Sequence, residues 1–139
     1  MIIDATDLIL GRIATVAAKK ALLGEKIYVV NCEKAIMTGA KKTTLARYRQ
    51  FLAMGQPQKG PFVKRRPDMF VRRSIRGMLP YKQEKGRIAF KKIKCYLGVP
   101  ENLKEKKIET IKKANMSKLP VLKYITIGNL CMEIGKWRK

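Results

Sequence analysis

Two carboxylates, Asp4 and Glu33, are the acidic pair in this chain whose positions could support catalysis. Each stands at or just beyond the carboxyl end of a predicted strand, where open parallel sheets place their ligands. Two such carboxylates could hold Mg²⁺ for phosphodiester cleavage. The same side chains could instead cap backbone N–H groups or pair with the many Lys and Arg residues, and we favour this structural role.

Other catalytic and metal-binding patterns fail on composition or spacing. The chain has no histidine, so neither a Ser-His nor a Cys-His nucleophile can form. Only one glycine, Gly11, follows the first strand, so the dinucleotide-binding motif G-x-G-x-x-G is missing. The phosphate-binding motif G-x-x-x-x-G-K-[ST] is missing as well. Cys32, Cys95 and Cys131 are widely spaced and are expected to be buried, reduced thiols, because structural zinc needs four ligands. The sequence therefore predicts no cofactor, metal or small-molecule substrate.

Positive charge is the strongest signal in the sequence. The 32 Lys and Arg residues against 10 acids give a net charge of +22, which repels itself in a compact fold and is typical of proteins with an anionic partner. Residues 59–94 hold thirteen Lys and Arg against two acids, with apolar residues at regular intervals. With 46% hydrophobic residues, the chain can form a core, so this stretch is predicted to be a folded surface that presents cations to a polyanion.

A membrane fits this charge less well than nucleic acid does. No run approaches the roughly 20 apolar residues needed to span a bilayer. Residues 1–12 carry acids where a signal peptide would carry positive charge. The sequence thus predicts a cytoplasmic protein without a membrane partner.

The pattern of apolar residues predicts an α/β domain. After a short apolar start, helical spacing predicts a helix over residues 10–23, ended by Gly24. Residues 26–31 are typical of a buried strand, and 35–37 form a second short β-like run. The order strand, helix, strand indicates a parallel pair joined by a crossover helix.

Two further helices are predicted, one before the basic stretch and one within it. A helix capped by Thr43 or Thr44 is expected to end at Gly55, and an exposed loop follows it. Pro67 suits the first position of a third helix, and Pro80 forbids its continuation. This third helix has an apolar stripe on one side and arginines on the other, namely Val71, Ile75, Met78 and Leu79 against Arg72, Arg73 and Arg76.

The remainder of the chain is predicted to add a strand, an arm and a helix. Residues 93–97 are typical of a strand, whereas the charged segment 101–115 fits either a surface helix or an irregular arm. Thr126 can cap a short helix through Ile134. Residues 136–139 form a basic tail, and one domain over residues 1–139 is the simplest organisation.

Thirteen cations are the candidate contacts to nucleic acid. On the third helix, guanidinium groups could bind phosphates, and a solvated face is the alternative. Residues 86–92 fit either a short helix or a basic loop. Their glycine would allow close approach to a phosphate, and Phe90 could stack on a base but fits the core better. Lys41 and Lys42 open a helix whose N-terminus attracts anions, although a solvated turn would explain them equally well. The full set is Lys41, Lys42, Lys59, Lys64, Arg65, Arg66, Arg72, Arg73, Arg76, Lys82, Arg87, Lys91 and Lys92.

These motifs, in this order, resemble the family of universal ribosomal protein thirteen of the large subunit. The most specific part is Gly-Met-Leu-Pro at 77–80 followed closely by Gly-Arg-x-x-Phe-Lys-Lys at 86–92. The likeness covers about residues 4–98, and the segment from Pro100 onward is similar to the archaeal form. The other matching pieces are Asp4-Ala5, Gly11-Arg12-Ile13-Ala14, Val30-Asn31-Cys32-Glu33-Lys34, Thr38-Gly39, Arg66-Pro67 and Ile93-Lys94-Cys95-Tyr96.

The resemblance implies a three-layer α/β/α fold around a four-stranded parallel sheet, with a basic C-terminal extension from about residue 99. It implies a non-catalytic constituent of the large ribosomal subunit that binds large-subunit (23S-type) rRNA, meets neighbouring subunit proteins and supports subunit assembly. The rRNA contacts would fall at 66–67, 72–76 and 87–92. An Mg²⁺-dependent ribonuclease using Asp4 and Glu33, and a DNA-compacting protein, are the alternatives from other functional classes.

Overall fold

The computed structural model describes residues 1–56, 58–105 and 107–135, and the predicted basic tail at 136–139 lies outside them. Among the described residues, none of the helices has the length and apolar content needed to cross a bilayer. The strands and helices are, in chain order, β1 (Ile2–Asp4), α1 (Leu10–Leu22), β2 (Ile27–Val30), β3 (Ile36–Thr38), α2 (Lys41–Ala53), α3 (Pro67–Gly77), α4 (Glu84–Lys91), β4 (Ile93–Cys95), α5 (Glu101–Lys104), β5 (Tyr124–Thr126) and α6 (Ile127–Ile134).

Three of the strands form a parallel sheet in the order β1-β2-β4. Val29 in the central strand lies opposite Ile3 on one side and Cys95 on the other. Helix α1 connects β1 to β2, so the predicted parallel pair with a crossover helix is confirmed. Because successive side chains of a strand point to opposite faces, Ile3 and Val29 share one face and Ile2 and Val30 share the other.

The two faces of this sheet are covered unequally. The face that carries Ile3 and Val29 belongs to the main core, together with buried residues of α1, α3 and α4. On the other face, Ile2 and Val30 pack with Leu103 of α5, which has only four residues. In the part of the chain that the structure describes, the sheet therefore has one thick helical layer and one thin cover.

Small side chains bring α1 close to its neighbours. Ala14, Ala17, Ala18 and Ala21 are all buried, and α1 packs against both α3 and α4. A helix surface of alanines permits close approach of neighbouring backbones while keeping high helix propensity. The helix ends as predicted near Gly24, whose φ of +102° suits glycine.

The fourth parallel strand of the predicted sheet is not confirmed. Strand β3 lies outside the parallel sheet and pairs antiparallel with β5, with Met37 opposite Ile125. The free edge of β1 meets the arm that follows α5, where the Glu109 N–H donates to the Ile2 carbonyl and the Asp4 N–H donates to the Glu109 carbonyl. The predicted segment 101–115 combines both alternatives, since it begins with the four-residue helix α5 and its described remainder has no further α-helix, only a 3-10 turn at Lys112–Ala114.

Helix ends follow the sequence signals only in part. Thr126 Oγ1 accepts the Asn129 N–H at 3.3 Å, so the predicted cap of α6 is confirmed. The predicted caps of α2 are wrong, because the helix already begins at Lys41 and includes Thr43 and Thr44. There, Ala40 occupies the N-cap position without a side-chain hydrogen bond.

The apolar stripe of α3 is shorter than predicted. Val71, Ile75 and Leu79 are buried, but Met78 is 45% exposed. The helix ends at Gly77 with Met78 as its C-cap, and the Met78 sulfur accepts a hydrogen bond from the Thr15 hydroxyl at 3.4 Å.

Gly86 allows α4 to pack against the turn that ends α3. It is buried, and a Cβ placed there would lie 2.1 Å from the carbonyl oxygen of Pro80. Gly86 therefore permits a close approach of the Pro80 backbone, and the approach of a phosphate to this glycine stays a prediction. This contact fixes the cations of α4 relative to those of α3.

Replacing Gly86 by alanine is expected to lower the free energy of unfolding by about 1–3 kcal/mol, because the added methyl group collides with the Pro80 backbone. Urea denaturation would measure the change. Gly77→Ala is the matched control: a Cβ there meets nothing within 4 Å, so stability should stay the same or rise slightly. Equal stability of the two variants would contradict the packing role of Gly86.

Candidate nucleic-acid interface

Helix α3 sets the positions of the central arginines. Pro67 begins the helix as predicted, and Asp68 follows in the first turn, where the helix dipole favours a carboxylate. Phe70, Val71 and Ile75 are buried, and the helix packs against α1, β4 and α6. Because the apolar stripe is held in the core, the arginines on the remaining surface are held in fixed directions.

Arg72 and Arg76, one helical turn apart, both lie over aromatic rings. The Arg72 guanidinium is 4.5 Å from the centre of the Phe90 ring, and that of Arg76 is 4.9 Å from the centre of the Tyr81 ring. Stacking on a ring face leaves the edge of a guanidinium available to a phosphate. Phe90 also packs against the main core, as predicted, so its ring supports Arg72.

A cavity of about 300 Å³ brings together cations from three elements. Arg72 of α3, Lys91 of α4 and Lys94 of β4 line it, with Asp68 and Tyr96 among the other walls. The Nε atom of Arg72 is buried and has no hydrogen-bond partner among the described residues. Cations that lie before and after the turn at 77–80 in the sequence therefore form one surface.

Arg73 belongs to a different surface. One step along a helix rotates a side chain by about 100°, so Arg73 cannot share the direction of Arg72. It is exposed, and its Nη1 donates a hydrogen bond to the Phe62 carbonyl in the loop before α3. With Lys64 it lines a second cavity of about 280 Å³. The aromatic walls of this cavity are Tyr48, Phe51 and Phe70.

Two predicted contact residues also bind other groups of the protein. Lys92 Nζ donates to the Gly24 carbonyl at 3.1 Å and so ties the end of α4 to the end of α1. Arg66 Nη2 lies 3.1 Å from Asp68 Oδ2 across the start of α3. Lys92 is thus engaged by the protein, whereas the exposed Arg66 pair is weak and can be exchanged for a phosphate.

Lys41 and Arg65 lie beside α6. Lys41 Nζ is 3.5 Å from Glu133 Oε1, and the side chain of Arg65 covers Gly135, where a Cβ would lie 2.6 Å from Arg65 Cδ. Such exposed ion pairs contribute little to stability, so Lys41 keeps most of its capacity to bind an anion. The other exposed members of the predicted set form no ion pair among the described residues: Lys42, Lys59, Lys64, Arg73, Lys82, Arg87 and Lys91.

Asp4 and Glu33 have structural partners. Asp4 Oδ1 accepts hydrogen bonds from the Thr6 N–H and hydroxyl at 3.0 and 2.8 Å, and from Asn31 Nδ2 at 2.9 Å. The Glu33 carboxylate accepts the Gly98 N–H at 3.2 Å. Among the described residues, no group of three or more potential ligand side chains could hold a metal ion. Both carboxylates stabilise the loops after β1 and β2.

The pKa of Asp4 reflects this arrangement. Burial by itself raises the pKa of the carboxyl group, but the hydrogen bonds from Asn31 and Thr6, together with Lys34, outweigh burial and bring the pKa below its usual value of 3.8. The charged form is therefore the one that the fold stabilises at neutral pH.

The cysteines are free thiols, as predicted. Cys32 and Cys131 are buried and Cys95 is partly buried. A hydrogen bond with Cys95 and burial both raise the pKa of Cys32, and burial together with nearby Asp68 raises the pKa of Cys131 to about 12. Cys32 and Cys131 are therefore protonated and unreactive at neutral pH.

Sequence reasoning missed two parts of this interface. Lys94 was counted in the basic stretch but not among the contacts, because alternation in a strand does not reveal which side faces a cavity. The aromatic cavity was missed because its walls come from α2, α3 and the loop between them. The one local signal is the alternation of Arg and aromatic residues in Arg47-Tyr48-Arg49-Gln50-Phe51.

Comparison with known proteins decides the family. The family model described as "Ribosomal protein L13" matches residues 1–102. The chain belongs to the ribosomal protein L13 family. It is 48% identical to the large ribosomal subunit protein uL13 of Methanopyrus kandleri, over 96% of this chain and 86% of that protein. It is 46% and 45% identical to the uL13 proteins of Methanosarcina barkeri and Methanococcus maripaludis, over 96% and 97% of both chains respectively.

The family assignment made from the motifs is therefore confirmed, and so is the likeness of the C-terminal part to archaeal members. The family model ends at residue 102, close to the predicted boundary of the shared core, whereas the similarity to the archaeal proteins continues through the extension. The family is one of ribosomal proteins, which sets aside the ribonuclease reading of Asp4 and Glu33.

Replacing Asp4 by asparagine is expected to lower the free energy of unfolding at pH 7 by about 1 kcal/mol, since charged hydrogen bonds are lost at a partly exposed site. The depressed pKa means that Asp4 stabilises the fold above its usual value of 3.8, and that this contribution disappears as the pH falls through the folded-state pKa. The difference between the two proteins should therefore shrink in strong acid.

Denaturant titrations at pH 7 and pH 2.5 would measure this effect. Asp7→Asn is the control, because Asp7 is exposed and its left-handed backbone suits asparagine equally well. A stability difference for Asp4→Asn that does not depend on pH would contradict the role given to its charge.

Proposed function

We propose that this protein is a structural constituent of the large ribosomal subunit in the cytoplasm, where it binds large-subunit rRNA and supports subunit assembly. The observation that carries the proposal is the cationic cavity of Arg72, Lys91 and Lys94. Three elements of the scaffold, α3, α4 and β4, contribute these cations. Neighbouring large-subunit proteins are the further partners.

The surface around the cavity suits an RNA backbone because two of its arginines are restrained before binding. Arg72, which lines the cavity, rests on the Phe90 ring, and Arg76, one turn further along α3, rests on the Tyr81 ring, so these two side chains have little freedom left to lose when a phosphate arrives. Guanidinium groups bind phosphate oxygens in pairs, which fixes both position and orientation. Rigid cations of this kind favour RNA segments whose phosphates are already placed by folding.

The net charge of +22 supports the same conclusion. With 32 basic and 10 acidic residues, the chain cannot neutralise its own surface, and the exposed members of the predicted set have few acidic neighbours. Folded rRNA brings many phosphates together and can neutralise these residues at once. Recognition would be mainly of backbone and shape, since A-form RNA hides the major-groove edges of its bases.

Replacing Arg72, Arg73 and Arg76 together by glutamine should weaken binding to a 23S-type rRNA transcript. For the unmodified protein, the logarithm of affinity should fall linearly with the logarithm of salt concentration, with a slope of roughly −0.7 to −0.9 per phosphate contacted. Losing three such contacts should make the slope shallower by about 2 to 3. Filter binding over a salt series would measure both quantities.

A matched control removes the same charge elsewhere, with Lys26→Gln, Lys107→Gln and Lys112→Gln, all exposed and outside the proposed interface. This variant should keep nearly the full salt slope. A flat salt response of the unmodified protein, or equal losses in the two variants, would contradict the proposed interface. Competition by duplex DNA at equal strength would favour a DNA-compacting protein instead.

A further inference from the structure

The second cavity combines aromatic walls with a cationic rim. It lies between α2, α3 and the loop that connects them, and its volume of about 280 Å³ is near the lower end for sites that hold a small ligand. Tyr48, Phe51 and Phe70 supply aromatic rings, and Lys64 and Arg73 supply positive charge. None of the described residues that line it is acidic.

The aromatic rings do not stack face to face on one another. The centres of the Tyr48 and Phe70 rings are 5.4 Å apart with the planes inclined at 57°, and those of Tyr48 and Phe51 are 6.2 Å apart at 67°. Steep angles of this kind leave ring faces available to another flat group. Phe51 is only partly buried, and the Arg47 guanidinium lies 5.6 Å from its centre.

We propose that this cavity receives a single unstacked base of the bound RNA. The proposal rests on the rRNA binding proposed above and adds a place where single-stranded RNA is recognised. The base stacks on the ring of Phe51 or Tyr48, while Lys64 and Arg73 neutralise the adjoining phosphates. Stacking of this kind accepts any base, because every base has a π face.

The position of Arg73 supports a nucleotide as the occupant. Its hydrogen bond to the Phe62 carbonyl anchors the guanidinium at the cavity while the side chain stays exposed. A nucleotide carries a flat base and a phosphate in one unit. Its base can therefore pack on the aromatic walls while its phosphate pairs with the cations of the rim. An apolar side chain from a neighbouring protein would fill the walls but leave Lys64 and Arg73 without an anionic partner.

The hydroxyl group of Tyr48 offers a polar contact as well. It accepts and donates no hydrogen bond among the described residues, although the ring itself is partly buried in the cavity wall. A base edge carries both donors and acceptors, so this hydroxyl can bind it in either sense. A base in a helix is already stacked on both faces and cannot enter, which restricts the site to loops and bulges.

The variant Phe51→Leu tests this inference, because leucine keeps an apolar side chain but cannot stack. Affinity would be measured for three RNAs: a single-stranded 12-mer of mixed sequence, a duplex of the same length, and a 23S-type rRNA transcript. We expect roughly fivefold or greater weakening for the single strand and the transcript, and no change for the duplex. Tyr124→Leu, an exposed aromatic outside the cavity, is the control and should change none of the three.

A second variant, Ser74→Phe, fills the cavity while keeping its aromatic walls and rim cations, and should produce the same selective loss. Thermal unfolding of each variant separates a binding defect from a folding defect. If the protein binds the transcript but both variants bind all three RNAs normally, or lose single strand and duplex equally, the cavity proposal is overturned. Failure of the unmodified protein to bind the transcript would overturn the proposed function instead.

Discussion

The structure depends on α3, which must bury one face in the core and keep arginines exposed on the other. Its Phe70, Val71 and Ile75 side must be buried among α1, β4 and α6, while its arginines must stay apart in a chain with 32 basic and only 10 acidic residues. Burial of apolar side chains is non-directional and is not weakened by ionic screening, so it can hold a helix in place against like-charge repulsion. The alanines of α1 and the glycine at 86 bring the neighbouring helices close enough to complete this packing.

Aromatic rings orient several arginine side chains in this protein, a role that acidic residues often have in neutral proteins. Arg72 lies on Phe90, Arg76 on Tyr81 and Arg47 on Phe51, whereas the ion pairs of the described residues are few and exposed. A ring orients a guanidinium group without neutralising its charge. The protein can therefore present fixed cations to a polyanion, which a surface of ion pairs would not permit.

Local signals in the sequence were sufficient for most helices but not for the sheet. Pro67 and Pro80 bracket α3, Gly24 ends α1 and Thr126 caps α6, because each of these effects acts within a few residues. The partner of β3 could not be read in the same way, since β5 lies in the C-terminal extension and strand propensity does not specify a partner. The arm that meets β1 has no strand pattern at all.

The candidate interface could also be predicted only in part from local sequence signals. Net charge and the family motifs identified which stretch carries the cations, but the sequence grouped Arg72, Arg73 and Arg76 as one face. In the structure, Arg72 shares a cavity with Lys91 and Lys94, while Arg73 shares another with Lys64. Which cations meet depends on the turn at 77–80 and on the loop before α3, and both are set by tertiary packing.

Binding to rRNA through these surfaces should hold this chain in the large ribosomal subunit. The most direct measurement is to fractionate ribosomal subunits from cells that produce the tagged protein, after a high-salt wash that removes loosely bound proteins. The protein should sediment with the large subunit and not with the small one. Recovery of the protein at the top of the gradient, free of subunits, would contradict it.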